Sequence, residues 1–378
     1  MEYIALPLSQ NYISHWGTWE AIREIIQNAM DQGEYSVDIS YEMGSISIES
    51  KGGVMEKGSL LLGHTSKADD PDKRGKFGEG YKLALLVLSR QNIGVTIKNG
   101  SQRWSPSMRP HPQIDEDCLT IGITEDAYSD EFETVRFSIH GLSREELAIV
   151  DDRVLNKDYC DIVADDGESY AFYEQPPAVY VGGLFVCNLE PIDKKSYELS
   201  YNFAPDIVNL DRDRQTVSEF TIAYEATSLL NRAGEYDLLV EMASNERPDV
   251  SGYVNIGSSG GYYSSSTPDV SKEIAEGSIK RFYDKYGEDA YPINKDWASG
   301  KIGVITSRAI AAGLKPITVS KAFFQMFDEK YLKTLVAVEL VPAKDLLMDF
   351  LVKNKKHMRS KAVQGINLII KELQERNI

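Results

Sequence analysis

The sequence predicts a mixed α/β protein of two domains, and three observations carry that expectation. Helix-period and strand-period apolar patterns interleave through the first third of the chain. A strongly apolar helix follows a glycine-rich turn near Gly80. The pattern then changes after Leu210, Asp211, Arg212, Asp213 and Arg214, where a helix at about 216–232 opens a second region. The boundary is therefore set between 210 and 211, giving domains 1–210 and 211–378, with the second the smaller and itself mixed α/β. The 378 residues agree with two domains at roughly 100–200 residues each.

Each element has its own reason. In residues 17–32, Trp19, Ile22, Ile25, Ile26 and Ala29 recur at helical spacing, with Thr18 as the expected N-cap and Gly33 as the stop. Residues 36–40 and 45–48 read as strands around a turn containing Gly44. A loop rich in Gly, Lys and Asp covers 51–80. The next helix carries Leu83, Ala84, Leu85, Val87 and Leu88. Alternating segments follow at 95–98, 119–124 and 134–139. Ser143 with Glu146 three positions on marks a capped short helix. Residues 178–188 read as a long strand or a strand pair with Gly182 and Gly183 as a bulge, 257–268 as a flexible linker, and the chain ends in a long helix to about 376.

Composition narrows the function classes. The chain is 42% hydrophobic and 26% charged, as in soluble globular proteins. It lacks a run of about 18 apolar residues, so no membrane span is expected. Met1, Glu2, Tyr3 and Ile4 do not form a basic leader, which argues against a secretory signal. Cys118, Cys160 and Cys187 are odd in number and far apart, which favours reduced thiols and a cytoplasmic protein. A net charge of −17 argues against a protein that coats nucleic acid over its whole surface, while leaving room for a local basic groove. The basic stretch 353–361 is the one place where a nucleic-acid client could dock, although such a run more commonly marks a solvated helix face.

Three constellations carry chemistry. Glu24, Asn28 and Asp31 share one polar edge of the first helix, since positions four and seven apart return to the same face. An amide oxygen can ligate Mg²⁺, and a carboxylate one turn away can polarise a water for in-line attack. Gly75, Phe77, Gly78, Glu79, Gly80, Tyr81 and Lys82 form a glycine-rich turn that runs into a helix, whose free N–H groups favour polyphosphate. It is neither a Walker nor a Rossmann pattern. Finally, residues 45–49 form a strand ending in Glu49, followed by Gly52 and Gly53. A carboxylate there can accept a hydrogen bond from a purine amino group.

Taken in order, these motifs resemble the GHKL ATPases (gyrase, Hsp90, histidine kinase, MutL) over roughly residues 15–140. Glu24, Asn28 and Asp31 match the N-box, and His64, Thr65, Ser66 and Lys67 look like the MutL-type lid. Residues 75–80 look like the second glycine box, and Thr134 is similar to the adenine-binding threonine. The resemblance implies a Bergerat-type α/β (α+β) sandwich, a mixed sheet covered on one face by helices. It implies ATP and Mg²⁺ as cofactors, with Asn28 on the metal and Glu24 activating water. Glu49 and Thr134 would hold adenine, with Gly53 at the turn, and the backbone of 78–82 would cradle phosphates. Asp31 would position the site. Lys67, Lys82, Arg212 or Arg214 would supply a cation near the γ-phosphate. It further implies dimer formation on ATP binding. Glu24 separates the chain from the histidine kinases, which lack a general base there. Two departures stand out: Glu49 replaces the Asp of the first glycine box with Lys51 in place of its first Gly, and Glu133 stands where a Gly precedes the Thr. Three readings follow: an ATPase that clamps on a protein or nucleic-acid client, a nucleotide-gated interaction module with little turnover, and a DNA-binding protein with a degenerate ATP pocket.

Overall fold

The computed structural model describes residues 1–61, 80–111, 116–125, 133–208, 216–252, 272–327, 332 and 343–375. The chain divides into two compact units, Met1–Gly234 and Glu235–Ile378.

The first unit is α+β. Its larger sheet contains β1 (Glu2–Ser9), β2 (Tyr35–Ser40), β3 (Ser45–Lys51), β4 (Gly94–Asn99), β5 (Gln102–Pro110), β6 (Asp117–Glu125) and β7 (Thr134–His140). The spatial order is β1-β6-β5-β4-β7-β3-β2, and every pairing is antiparallel. The expected mixed sheet is thus corrected to an antiparallel one. Tight turns decide this: β2 joins β3 through Gly44 at φ +58°, and β4 joins β5 through Gly100 at φ +57°. Hairpins of this kind can only pair strands antiparallel.

Helices α1 (Thr18–Met30), α2 (Gly80–Arg90) and α3 (Arg144–Arg153) complete this layer. Ile22, Ile25 and Ile26 of α1 share one apolar core with Leu85 and Leu86 of α2 and with Ile48, Ile97, Ile121 and Phe137 of the sheet. Each such side chain contributes roughly 1.5–3 kcal/mol when fully buried. The strands alternate as period two requires. On β3 and β7, Ile46, Ile48, Val135, Phe137 and Ile139 are buried toward the helices, while Ser47, Glu49, Arg136 and Ser138 line the outer face.

Two helix starts are informative. The N-cap of α1 is Gly17, whose N–H donates to Glu20 Oε2 at 2.9 Å. Thr18, expected as the cap, is the first helical residue instead, and its hydroxyl donates to Glu146 Oε1 at 2.7 Å. Ser143 caps α3 as expected, accepting from Glu146 N while Glu146 Oε2 accepts from Ser143 N at 2.8 Å.

A second, five-stranded sheet follows, built from β8 (Asp161–Asp165), β9 (Tyr170–Tyr173), β10 (Ala178–Val181), β11 (Leu184–Asn188) and β12 (Ser200–Phe203) in the order β11-β10-β12-β9-β8. Here β10 and β12 pair in parallel. Gly182 and Gly183, at φ +56° and +83°, form the turn between β10 and β11, not a bulge within a strand. Helix α4 (Glu219–Ala233) packs on β8 and β9, and Arg232 grips Asp166 Oδ2 from Nε at 2.9 Å and from Nη2 at 2.7 Å. That packing keeps α4 in the first unit, which ends at Gly234.

The second unit contains α5 (Tyr236–Ser244), α6 (Lys272–Tyr286), β13 (Ala290–Asn294), α7 (Ser299–Ala311), β14 (Lys315–Val319), α8 (Lys321–Gln325), α9 (Ala343–Asn354) and α10 (Ser360–Glu375). β13 and β14 pair in parallel. Phe282 is fully buried and meets the Phe327 ring edge-on at 5.4 Å. Among the described residues, no helix is long and apolar enough to cross a membrane. The long terminal helix expected from the sequence is α10, which ends at Glu375.

Candidate functional site

The C-terminal end of β3 is tied to its surroundings by backbone bonds. Lys51 N donates to Glu34 O at 2.9 Å, just beyond the end of α1. Gly52, at φ +101°, and Gly53 both donate to Glu133 O, at 3.0 and 3.2 Å. A residue with a β-carbon would be strained at Gly52, which is why a glycine stands there. Asn99 then clamps the following segment: its Oδ1 accepts from Met55 N at 2.7 Å and its Nδ2 donates to Met55 O at 2.8 Å. The strand end, the end of α1, the start of β7 and the end of β4 thus converge.

Helix α1 presents its polar edge to α2. Glu24 is only 7% exposed. Its Oε2 lies so near the first residue of α2 that a β-carbon on Gly80 would collide with it. Glycine at position 80 is therefore what lets a carboxylate approach the α2 N-terminus, where free N–H groups carry partial positive charge. Arg23 Nη2 reaches Glu24 Oε1 at 3.4 Å. Asn28 Nδ2 donates to the Glu24 backbone oxygen at 2.7 Å, which turns its Oδ1 away from the helix. Asp31 is the C-cap of α1. Between them sits Gln27, 1% exposed, with neither its Nε2 nor its Oε1 hydrogen-bonded among the described residues.

Early α2 contributes differently from the sequence expectation. Lys82 is fully buried and its ammonium donates to the Leu61 carbonyl oxygen, so it braces the preceding segment. The Tyr81 hydroxyl donates to Ser59 O at 2.8 Å, and burial pushes its pKa up to about 12.

The structure brings Glu24, Asn28, Asp31 and Gly80 to one edge, with Gly53 on the adjoining turn. It does not bring Glu49 or Thr134 there. Glu49 lies on the outer face of the sheet, directly across from Arg136, whose Nη2 is 2.5 Å from Glu49 Oε2. Thr134 lies on that same outer face, opposite Lys51. The reason is parity: Ile46 and Ile48 point to the helices, so Ser50 does too, and Glu49 cannot. Ser50, buried at 6% exposure, occupies the helix-facing place at the end of β3. Alternation in residues 46–50 carried that signal. Gln27 and Asn99 gave no comparable signal, because their roles depend on what packs over them. Thr65, Ser66, Lys67, Gly75, Phe77, Gly78, Glu79, Arg212 and Arg214 lie outside the described residues. The basic stretch spans the end of α9 and the start of α10, where Lys355, Lys356, His357, Arg359 and Lys361 are exposed and Lys353 pairs with Asp349 at 2.6 Å.

Among the described residues, no group of three His, Cys, Asp or Glu is arranged to hold a metal. Asn28 Oδ1 is an oxygen donor of the kind that Mg²⁺ takes.

No protein-family model matches the chain. An uncharacterized protein of Mycoplasma pneumoniae is 27% identical over 135 residues, which cover 33% of this chain and 54% of the relative. The chain therefore spans about half the length of that curated relative. Among solved structures, the ATPase region of Saccharomyces cerevisiae topoisomerase II bound to ICRF-187 is 13% identical, with 43% of this chain and 61% of that chain covered and a TM-score of 0.31. The ATPase and transducer domains of DNA topoisomerase II from Balamuthia mandrillaris are 16% identical, with 43% and 58% covered and a TM-score of 0.29.

Proposed function

We propose that the first unit binds ATP with Mg²⁺ along the polar edge of α1 and hydrolyses it slowly, and that this drives conformational change or dimer clamping. One observation carries the reading: a nearly buried carboxylate, Glu24, rests against a glycine at the N-terminus of α2. A helix start favours phosphate, and a carboxylate beside it is placed to take a proton from water. Asn28 Oδ1 would ligate Mg²⁺, which neutralises phosphate charge during transfer. Gly53 would let the ligand approach the backbone closely, and Asp31 would orient the edge. Lys67, Arg212 and Arg214 remain the proposed cations for the γ-phosphate.

A second reading is favoured by Lys82, whose ammonium is engaged with the Leu61 carbonyl and not turned outward. On that reading the chain is a nucleotide-gated interaction module with little turnover.

ATP binding and phosphate release, with sedimentation in a non-hydrolysable analogue, test both readings. Wild type is expected to bind and turn over. Glu24→Ala is expected to bind but lose about 10²–10⁴-fold in rate, and Asn28→Ala to lose Mg²⁺-dependent binding. Binding without release supports the module. A monomer at saturating analogue removes the clamp, and absence of binding sinks both readings.

A further inference from the structure

We propose that Gln27 is a positioning residue for phosphoryl transfer: its Oε1 accepts from the attacking water and its Nε2 donates to a γ-phosphoryl oxygen. The inference rests on the ATPase reading of the α1 edge. It starts from an unmet demand. Gln27 is 1% exposed, and among the described residues both polar atoms of its carboxamide lack a hydrogen-bond partner. Buried amides are almost always hydrogen-bonded, and an exception calls for a reason such as catalysis or a bound water. A leucine at this position would fill similar space without that penalty.

Placement supplies the reason. Gln27 follows Glu24 by three residues on α1, so the two side chains are neighbours on one helix. Asp31 stands one turn further on, and Asn28 is adjacent. A carboxamide offers one acceptor and one donor face side by side. Those are the two contacts needed to hold a water in line with a phosphoryl group, as a glutamine does in P-loop GTPases. The balanced step follows. The water oxygen forms a bond to the γ-phosphorus, and the bond to the β,γ-bridging oxygen breaks. ADP leaves with that electron pair, and the water proton passes to the Glu24 carboxylate. Gln27 exchanges no proton, so it tunes geometry and charge only.

The test uses the full chain with three readouts: apo melting temperature, nucleotide affinity and phosphate release. Gln27→Leu is expected to keep or raise the melting temperature, bind ATP within about threefold of wild type, and release phosphate about 10²-fold more slowly. Gln27→Glu keeps the volume and the acceptor but sets a negative charge where the phosphate would sit. It is expected to lose ATP affinity relative to ADP, and it serves if Gln27→Leu fails to fold. If Gln27→Leu turns over like wild type, or Gln27→Glu keeps the wild-type ATP/ADP preference, Gln27 is a buried amide met by water and the proposal is overturned. If wild type itself neither binds nor hydrolyses ATP, the ATPase reading fails first, and that outcome is visible without any variant.

Discussion

On the helix-covered side of the seven-stranded sheet, Glu24 is 7% exposed and rests against the start of α2. On the outer side, the Glu49 side chain keeps 21% exposure and Arg136 keeps 35%, in an ion pair of 2.5 Å. The two residues are the same amino acid, each beside a positive partner. Solvent separates their fates. The outer pair is screened by water and salt, so its net worth is small despite its short distance. On the covered side, low polarizability makes each charge and each unmet hydrogen bond count for more. The covered side is therefore where substitutions are felt.

The largest expected effect tests the covered side itself. Ile48, fully buried on the helix-covered face of β3, should cost about 2–5 kcal/mol when changed to Ala, read as a lower midpoint in urea. A loss below 1 kcal/mol on that scale would mean the face is looser than described.

A smaller effect is expected at the link between α3 and α1. Burial alone would raise the Glu146 pKa, but hydrogen bonds from Thr18 and Ser143 outweigh it and lower it. A lowered folded-state pKa stabilises above the unfolded value of about 4.3 and is lost as pH falls through the folded value. Glu146→Gln should therefore cost about 1 kcal/mol at neutral pH. The gap to wild type should close in acid, and a difference independent of pH would remove the linkage.

The smallest effect sharpens the comparison most. Glu49→Ala should cost less than about 1 kcal/mol and leave ATP affinity unchanged. A tenfold loss of affinity would put the base contact on the outer face, as the linear motif suggested, and would reverse the assignment of the two faces.

How far the sequence could be read follows from particular residues. The helical repeat of Ile22, Ile25, Ile26 and Ala29 marked α1, and the Ser143 capping box marked α3. Strands β1 and β5 went unread. The segment 102–110 was given no element, yet as β5 it pairs on both sides, with β4 and β6. Motif order placed Glu49 at the site, whereas simple alternation from Ile46 and Ile48 would have chosen Ser50.

By itself the sequence determined which residues share the polar edge of α1, because spacing along one helix is a local property of the backbone. It likewise determined the parity of β3, once Ile46 and Ile48 were known to face inward. Only the tertiary structure decided that this polar edge is covered, that Gly80 meets Glu24 across a long stretch of chain, that Lys82 turns to Leu61, and that Gln27 is buried without a partner among the described residues. These depend on which surfaces far apart in the chain exclude water together. Periodicity shows where an apolar stripe lies, but not what packs against the opposite side.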